Sequence, residues 1–334
     1  MLIVNNMPLD QATPTQFQHA RWGEWIRLAD LVFPWFLLCA GLSLPFSYRS
    51  AKRRGVTYAS WVLKALGRAV GLLLLGMFLD SAYNRQPTLG LGVLQLIGLA
   101  SFVAALLMPL KPLVRGILAA AAILGYGAAL ALLPVPDQGR RVLSEHANLV
   151  LYLNDTYFKE VGLRGLPSVL PTSALVVLGS LVGGALAKAK RRIRVIGCGL
   201  VLALIGAIWT RIGHPMSKDI WTAPYILYSG GIGTMIVAAL SWLLDGRPWA
   251  KIAAPLLVFG MNPLVAYAGP IMVKCLVLQS WTFDDGRTLQ QAWIESMVYR
   301  FGIYNGSWLY TLEYILATWI VLVWLRRRGV VLRL

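Results

Sequence analysis

One histidine near the N-terminus is placed where it can carry acid–base chemistry. His19 lies in the string FQHARW, and the next apolar run begins ADLVFPWF, with Asp30 as its first charged residue. The histidine side chain titrates near neutrality, so it can take up a proton at physiological pH or act as a nucleophile. His19, one of only three histidines in the chain, is therefore a candidate for such chemistry.

Each of these residues also has a purely structural explanation. A histidine among aromatic residues can pack at a membrane interface, and Asp30 can cap the helix that follows it, because a carboxylate satisfies free backbone N–H groups at a helix N-terminus. Trp22 can belong to an interfacial aromatic belt. Of the other two histidines, we interpret His214 as structural because it precedes a proline in a loop, whereas His146 lies in no recognisable motif.

The elements that must position these residues are membrane helices. The 334 residues are 57% hydrophobic and 13% charged, with a mean hydropathy of +0.64, whereas soluble domains carry about 25% charged residues. Runs of about 17–25 apolar residues can cross a bilayer. We predict an all-α polytopic bundle with nine complete transmembrane helices, near residues 30–47, 62–82, 89–109, 113–133, 168–187, 193–211, 222–244, 252–277 and 308–325. The opening string MLIVNN predicts the tail of a truncated first helix, which makes about ten in all.

The basic residues predict the orientation of this bundle. With the N-terminus inside, 19 of the 31 Lys and Arg residues fall on the predicted cytoplasmic side, in loops or in the helix ends that adjoin them, and 13 of the 14 acidic residues fall on the outer side. Cytoplasmic loops of membrane proteins carry an excess of Lys and Arg, so we expect both termini to be cytoplasmic. A nucleic-acid partner would need basic residues clustered on a polar folded surface. Here they lie in short loops between apolar runs, so we expect no nucleic-acid partner.

We treat residues 1–334 as a single transmembrane domain with three long extracytoplasmic loops, at residues 8–29, 134–167 and 278–307. Loops of this length tend to be functional or disordered, and their content of Trp, Tyr, Asn and Asp favours ordered caps. The three cysteines lie inside or at the end of apolar runs and lack metal-binding spacing. We predict buried free thiols and no metal site for Cys39, Cys198 and Cys275.

Six strings of the chain resemble one known family when they are taken together. They are MLIVNN at 1–6, FQHARW at 17–22, ADLVFPWFLLCAG at 29–41, GVLQLIGLA at 92–100, HPMSKDIWTAPYIL at 214–227 and FGMNPLVAY at 259–267. They occur in the family's order and cover nearly the whole chain, and the pattern HA-x-W followed by ADLVFPWF is the most specific part. The chain resembles the heparan-α-glucosaminide N-acetyltransferases, which are membrane acyltransferases with bacterial relatives.

The resemblance implies an enzyme that transfers an acetyl group from cytoplasmic acetyl-CoA to the amine of a glucosamine on the far side of the membrane. The family's catalytic histidine falls in HA-x-W and maps onto His19. An asparagine in a VN pair maps onto Asn5, and the aspartate of ADLVFP maps onto Asp30, to which we assign a supporting role. The glycine-rich stretch that can follow the VN pair is replaced here by residues 7–16, so the acceptor need not be heparan.

Two routes of transfer are open to His19. An amine must be neutral to attack a thioester, so a base that works near neutrality is useful. The histidine can deprotonate the acceptor ammonium for direct transfer, or it can take the acetyl group itself and pass it on. Asn5 or Asn262 can donate a hydrogen bond to the developing oxyanion. The alternative for such residues is hydrogen bonding between helices; we favour the functional role for Asn5 and leave both open for Asn262.

The same resemblance points to residues that bind the two substrates. CoA carries phosphates, with which arginines form charge-assisted contacts. The candidates for this cofactor site are Arg49, Arg53, Arg54, Arg68, Arg247 and Asn262. For each arginine the alternative is a role in topology alone. For the amino-sugar acceptor, the candidates are Trp22, Lys218 and Trp221.

Two other classes stay open. An O-acyltransferase of surface glycans also combines many helices with a histidine, but it acts on a hydroxyl group. A secondary transporter needs intramembrane charges that face a central site, together with inverted repeats, and the predicted spans contain few charges and no repeat. We further expect an integral protein of the bacterial inner (plasma) membrane, in contact with membrane lipid, with a homodimer as one candidate assembly.

Overall fold

The computed structural model describes residues 2–136, 139 and 143–332, and within those residues it contains helices and loops but no β-strand beyond two isolated bridges. Helices are expected in lipid because they satisfy their own backbone polar groups. They are α1 (Leu2–Asn6), α2 (Leu28–Arg53), α3 (Tyr58–Asn84), α4 (Val93–Leu106), α5 (Pro112–Leu132), α6 (Leu149–Leu153), α7 (Val169–Leu186), α8 (Arg192–Arg211), α9 (Ala223–Leu244), α10 (Ala254–Met261), α11 (Pro263–Val273) and α12 (Leu289–Arg327).

Seven of these helices are long and apolar enough to cross a membrane, namely α2, α3, α5, α7, α8, α9 and α12. The prediction of an all-helical integral membrane protein is confirmed. The count of nine complete spans plus a truncated one is not. One reason is α4, whose 14 residues reach about 21 Å at ~1.5 Å per residue, short of the ~30 Å hydrocarbon core.

The predicted span at 252–277 is broken into two helices. The chain bends by 78° between the segments Ala254–Met261 and Pro263–Leu278. Asn262, between them, has non-helical dihedral angles of φ −129° and ψ 60°. Helices usually end at or before the residue preceding a proline, because the ring disfavours the helical conformation there. This pair is therefore a bent span or a re-entrant segment.

The region 278–307, predicted to be an extracytoplasmic loop, contains a helix. Helix α12 begins at Leu289 and bends at Gly302, where φ is 78° and ψ is 168°. That backbone conformation is essentially restricted to glycine. Beyond the bend the two parts of α12 fold against each other, and Trp293 Nε1 donates a hydrogen bond of 3.0 Å to Glu313 Oε2. The segment is thus an antiparallel helical hairpin rather than a loop.

Glycines set how closely the central helices approach one another. A methyl group at Gly41, Gly179 or Gly183 would overlap the backbone of the partner helix in the α2–α7 contact. The spacing of Gly179 and Gly183 is the small-xxx-small pattern of tightly packed membrane helices. In the α8–α9 contact, Gly199 and Gly231 approach each other in the same way.

The alternation of the helices produces two chemically different ends of the bundle. The rings of Tyr48 and Tyr58 lie 6.3 Å apart, which joins the last turns of α2 to the start of α3. Arg192 Nη2 lies 3.1 Å from Asp245 Oδ2, which joins the start of α8 to the residue after α9. We call this the basic end. The opposite end, where α2 and α9 begin and α3 finishes, is the histidine end.

Two of the three cysteines do not lie where we predicted. Cys39 and Cys198 are exposed on the outer faces of α2 and α8, and only Cys275 is buried. The prediction of three buried thiols is therefore wrong for two of them. An apolar run in a membrane helix does not separate core from lipid-facing positions, because both are apolar.

Candidate functional site

His19 and Asp30 form a hydrogen-bonded pair at the histidine end. The His19 Nδ1 and Asp30 Oδ1 atoms are 2.8 Å apart, and the side chain of His19 is 54% exposed whereas that of Asp30 is 2% exposed. Asp30 lies in the first turn of α2, so its position is fixed by a helix that packs in the core. The pair therefore joins an accessible imidazole to a buried, rigidly held carboxyl group.

The Asp30 carboxyl group is surrounded by donors. Its Oδ2 atom accepts hydrogen bonds from the backbone N–H groups of Ala20, at 3.0 Å, and Arg27, at 3.1 Å. Lys218 Nζ lies 3.5 Å from Oδ1, and the hydroxyl of Tyr225 donates to the Asp30 backbone carbonyl at 2.6 Å. An ionised carboxylate only accepts hydrogen bonds, so the contacts made to the two carboxyl oxygens match the ionised form, while the Tyr225 contact fixes the backbone.

This arrangement determines which imidazole nitrogen is available for chemistry. Because Asp30 acts as an acceptor, Nδ1 of His19 must carry the proton that they share. The Nε2 atom then presents its lone pair to the exposed side. A carboxylate that holds a histidine in this tautomer is a recurring arrangement in acyl-transfer enzymes.

The loop before α9 brings Lys218 to this pair. Trp221 has a left-handed φ of 51°, and its ring packs against Phe33 at 5.0 Å and Tyr225 at 5.5 Å. It is 3% exposed. The side chain proposed to contact the acceptor is thus packed inside, where it holds the loop in place.

A small cleft adjoins the pair. Its lining includes Trp22, Asp30, Lys218 and Asp219, and its volume is about 20 Å³. A single water needs roughly 10–15 Å³ by this kind of measure. The cleft as it stands has space for a water molecule but not for an acetyl group or a sugar.

A much larger cavity lies between α1, α3, α4 and α11. Its volume is about 390 Å³, within the ~300–1,000 Å³ range of small-molecule pockets. Asn5, which we grouped with His19, lines this cavity and not the cleft. Its backbone carbonyl accepts a hydrogen bond of 3.2 Å from Lys274 Nζ. The structure therefore brings together His19, Asp30, Lys218 and Trp22, and places Asn5 in a separate cavity.

Comparison with known proteins identifies the family. Residues 1–206 match the sequence profile described as "Heparan-alpha-glucosaminide N-acetyltransferase, catalytic". The chain belongs to this family. The matched region includes both the His19–Asp30 pair and Asn5.

A curated human member of the N-acetyltransferase family is also similar to this chain. The protein named "Heparan-alpha-glucosaminide N-acetyltransferase" from Homo sapiens is 24% identical, in an alignment that covers 84% of this chain. The alignment covers 52% of the human protein, so the present chain spans about half the length of that relative.

Asn262 is engaged by the C-terminal segment. Its Nδ2 donates to the carbonyl of Val330 at 3.2 Å, and its Oδ1 accepts from the N–H of Leu332 at 2.8 Å. It is fully buried and lines neither the cleft nor the large cavity. These contacts give Asn262 a structural use at the break between α10 and α11.

The five arginines proposed for CoA are exposed at or near the basic end. Arg49 and Arg53 lie in the last turns of α2, and Arg54 follows them. Arg68 projects from α3, and Arg247 stacks at 4.9 Å on the ring of Trp242. Within the described part of the chain none of the five forms an ion pair. They remain available for an anion.

Three charged residues of potential importance were missed by sequence reasoning. Asp80 and Lys274 line the large cavity. Arg115, at the start of α5, is 6% exposed and donates a 2.8 Å hydrogen bond to Ser180 Oγ. Each lies inside or beside an apolar run, and an isolated charge in such a run is itself the signal of an intramembrane functional residue.

His214 differs from His19 in its surroundings. It is 7% exposed, its ring lies 5.7 Å from that of Trp209, and its Nε2 atom is buried without a hydrogen-bond partner among the described residues. Burial lowers the pKa of His214 below the ordinary value of 6.5. The side chain is a packed, neutral imidazole, which agrees with its interpretation as structural.

Proposed function

We propose that this protein is a transmembrane N-acetyltransferase that moves an acetyl group from cytoplasmic acetyl-CoA to the amine of an extracytoplasmic glucosamine-like sugar. The observation that carries the proposal is the His19–Asp30 pair, which lies within the matched catalytic region. The same proposal places the protein in a bacterial inner membrane with both termini cytoplasmic. A homodimer stays a prediction.

In the direct route, Nε2 of His19 takes a proton from the acceptor ammonium. The neutral amine nitrogen then attacks the thioester carbon, an amide bond forms and the C–S bond breaks, and the second proton lost by the amine nitrogen passes to the departing sulfur, so that CoA leaves as its thiol. In the two-step route, Nε2 first attacks the thioester carbon, the C–S bond breaks and CoA leaves as its thiolate. The neutral amine of the acceptor then attacks the acetyl-imidazole, the C–Nε2 bond breaks, and the freed Nε2 takes the proton that the amine nitrogen loses. Asp30 holds the imidazole in the required tautomer in both routes.

The phosphates of CoA are proposed to bind at the basic end. The exposed arginines there offer charge-assisted hydrogen bonds, and Arg115 adds a buried guanidinium. The acceptor is proposed to approach the opposite, histidine end. The thioester of bound acetyl-CoA must then reach most of the way across the membrane, to the acceptor in the direct route or to His19 in the two-step route.

The proposal is tested by replacing the base. Purified His19→Ala protein, incubated with labelled acetyl-CoA and glucosamine, is expected to lose at least about 10²-fold in kcat, because general acid–base catalysis typically contributes about 10²–10⁴-fold. His146→Ala is the matched control, since that side chain is 92% exposed and lies outside the six strings that resemble the family. Wild-type activity in His19→Ala would refute the assigned role.

The same assay separates the two routes and the two kinds of product. Label that stays on the wild-type protein without acceptor, and is absent from His19→Ala, supports the acetyl-histidine route. An amide product supports N-transfer, whereas a hydroxylamine-sensitive ester would identify an O-acyltransferase.

A secondary transporter is the second candidate, because Asp80 and Lys274 are charges that face a cavity, and charges at membrane depth mark transport pathways. Uptake of sugar into proteoliposomes without acetyl-CoA would support that function. If acetyl-CoA is required for the sugar to be modified or released, the transporter function is rejected.

A further inference from the structure

The cavity between α3, α4 and α11 carries two charges of opposite sign that do not neutralise each other. Asp80 and Lys274 both line it, yet within the described residues neither takes part in an ion pair. Ionisable groups at membrane depth are costly unless they are paired or functional. Both side chains face an open volume of about 390 Å³. This indicates that a bound ligand supplies the missing partner of each charge.

The position of Asp80 is built into the fold. Gln95 Nε2 donates a 2.7 Å hydrogen bond to Asp80 Oδ2. A methyl group on Gly76 would overlap the amide of Gln95, and one on Gly92 would lie 2.7 Å from Asp80 Oδ2. Only glycine therefore permits the carboxyl and amide groups to occupy these places. The second carboxyl oxygen of Asp80 has no hydrogen-bond partner among the described residues.

Two further polar groups leave bonds to be completed. Gln95 is 1% exposed, and its Oε1 atom has no partner among the residues that the structure describes. Lys274 donates one hydrogen bond, to the backbone carbonyl of Asn5, although an ammonium carries three donors. The cavity thus combines a carboxylate with an ammonium that has donors to spare.

The location of the cavity agrees with an acceptor site. Asp80 lies in the last turns of α3, and Gln95 lies in the first turn of α4. Both are at the histidine end, opposite the arginines of the basic end. A ligand that enters here approaches from the side proposed for the sugar and not from the side proposed for CoA.

We propose that this cavity binds the amino-sugar acceptor before transfer, with Asp80 accepting from the sugar's ammonium group and Lys274 donating to its hydroxyl oxygens. His19 does not line this cavity, so the amine must leave Asp80 before it meets Nε2 of His19. The inference rests on the proposed function for its choice of sugar. An ammonium–carboxylate contact selects an amine over the corresponding alcohol, because the alcohol leaves the carboxylate without its charged partner. Asp80 is a binding residue here, and no proton-transfer step is assigned to it.

The test measures binding without acetyl-CoA, so that it does not depend on catalysis. Purified wild-type protein is titrated calorimetrically with glucosamine and with glucose, and glucosamine is expected to bind at least ten-fold more tightly. Asp80→Asn is expected to abolish that preference and to leave glucose binding unchanged. Lys274→Met is expected to weaken both sugars by a similar factor. Asp284→Asn, an exposed site outside the cavity, makes the same change of charge and should behave as wild type.

A second measurement keeps the proposal testable if Asp80→Asn does not fold. Tyr83 lines the cavity and is 65% exposed, so Tyr83→Cys, in a background with the native cysteines replaced by alanine, reports on occupancy. Glucosamine is expected to slow its alkylation and glucose is not. Equal protection by both sugars, or by neither, would overturn the assignment.

Other outcomes identify other ligands or separate the two proposals. Glycerophosphoethanolamine carries the same ammonium chemistry on a lipid headgroup, and its binding in place of glucosamine would overturn the sugar assignment. If glucosamine binding depends on Asp80 but no acetylation occurs, the proposed function is refuted and the binding site is supported. Acetylation with an unchanged KM for glucosamine in Asp80→Asn would refute this site and leave the function.

Discussion

At the scale of single residues, the pairing of His19 with Asp30 decides which imidazole nitrogen can act in the proposed reaction. The pair directs Nδ1 toward the buried carboxyl group, so in the neutral imidazole Nδ1 carries the proton and Nε2 is the nitrogen with the free lone pair. The contacts of Asp30 come from two backbone N–H groups and Lys218, so the carboxyl group is held independently of the histidine. Asp30 is therefore a positioning residue, and it can be changed without removing the base itself.

Asp30→Asn is expected to lower kcat by about 10²-fold or more, since an amide NH₂ facing Nδ1 favours the tautomer with a protonated Nε2. The KM for acetyl-CoA should stay the same, because Asp30 lies at the end remote from the arginines. Steady-state kinetics of Asp30→Asn beside Lys218→Met make the comparison. The lysine variant keeps the tautomer and should lose less than about ten-fold, a smaller loss than removal of the general base causes. A wild-type kcat in Asp30→Asn would contradict this interpretation.

The buried His214 predicts a pH dependence of stability. Burial holds its folded pKa below the ordinary 6.5, so protonation favours the unfolded state. Its contribution to stability is complete above about pH 6.5 and declines as the pH falls toward the folded pKa. Thermal unfolding in detergent at pH 7.5 and 5 should show a smaller loss for His214→Gln than for wild type. His146→Gln, at an exposed position, should keep the wild-type loss.

At the scale of helices, glycine contacts determine which elements can support the site. Helix α2 carries Asp30 and packs on α7 through Gly41, Gly179 and Gly183. Helix α9 anchors the same region, because Tyr225 donates to the Asp30 carbonyl. Any change that separates α2 from α7 therefore also displaces the proposed catalytic pair.

Gly179→Ala is expected to destabilise the protein by about 1–3 kcal/mol, the usual cost of overpacking, because the new methyl group would overlap the carbonyl of Leu38. Gly184→Ala, in the same helix, is the matched control, since a methyl group there meets nothing within 4 Å. Its effect should be within about 0.5 kcal/mol. Thermal unfolding of both variants in detergent measures the difference, and equal midpoints would show that the α2–α7 approach is looser than described.

At the scale of the whole molecule, the two ends of the bundle differ in charge. Of the 31 Lys and Arg residues, 19 lie on the side predicted to be cytoplasmic, in loops or in the helix ends that adjoin them. The structure gathers their helix ends on one side and leaves the His19–Asp30 pair and the large cavity on the other. The orientation of this axis in the membrane decides which substrate each end meets.

We predict that the basic end is cytoplasmic, following the excess of Lys and Arg in cytoplasmic loops. With the native cysteines replaced by alanine, Asp284→Cys should react with a membrane-impermeant maleimide in intact cells. Arg327→Cys, at the end of α12, should react only after permeabilisation. The reverse pattern would place the His19 end inside and would reject transfer in the proposed direction.

The sequence by itself determined the membrane character and the family, and it named His19 and Asp30 as candidate residues, although their hydrogen bond was seen only in the structure. The membrane character follows from the long apolar runs, because lipid requires helices of a minimum length. The family and the two candidate residues follow from motifs in a fixed order. His19 and Asp30 are close in sequence, so a single loop can bring them into contact.

Only the tertiary structure decided how the remaining residues are grouped. Asp80 and Lys274 are separated by almost two hundred positions, so their shared cavity depends on the packing of α3 against α11. Asn5 and Asn262 look equivalent as amides, but one lines that cavity and the other bonds to the C-terminal segment. The broken helix at Asn262 and the hairpin at Gly302 were missed because hydropathy records apolar length and not direction. A backbone can turn at a single residue without changing the hydropathy around it.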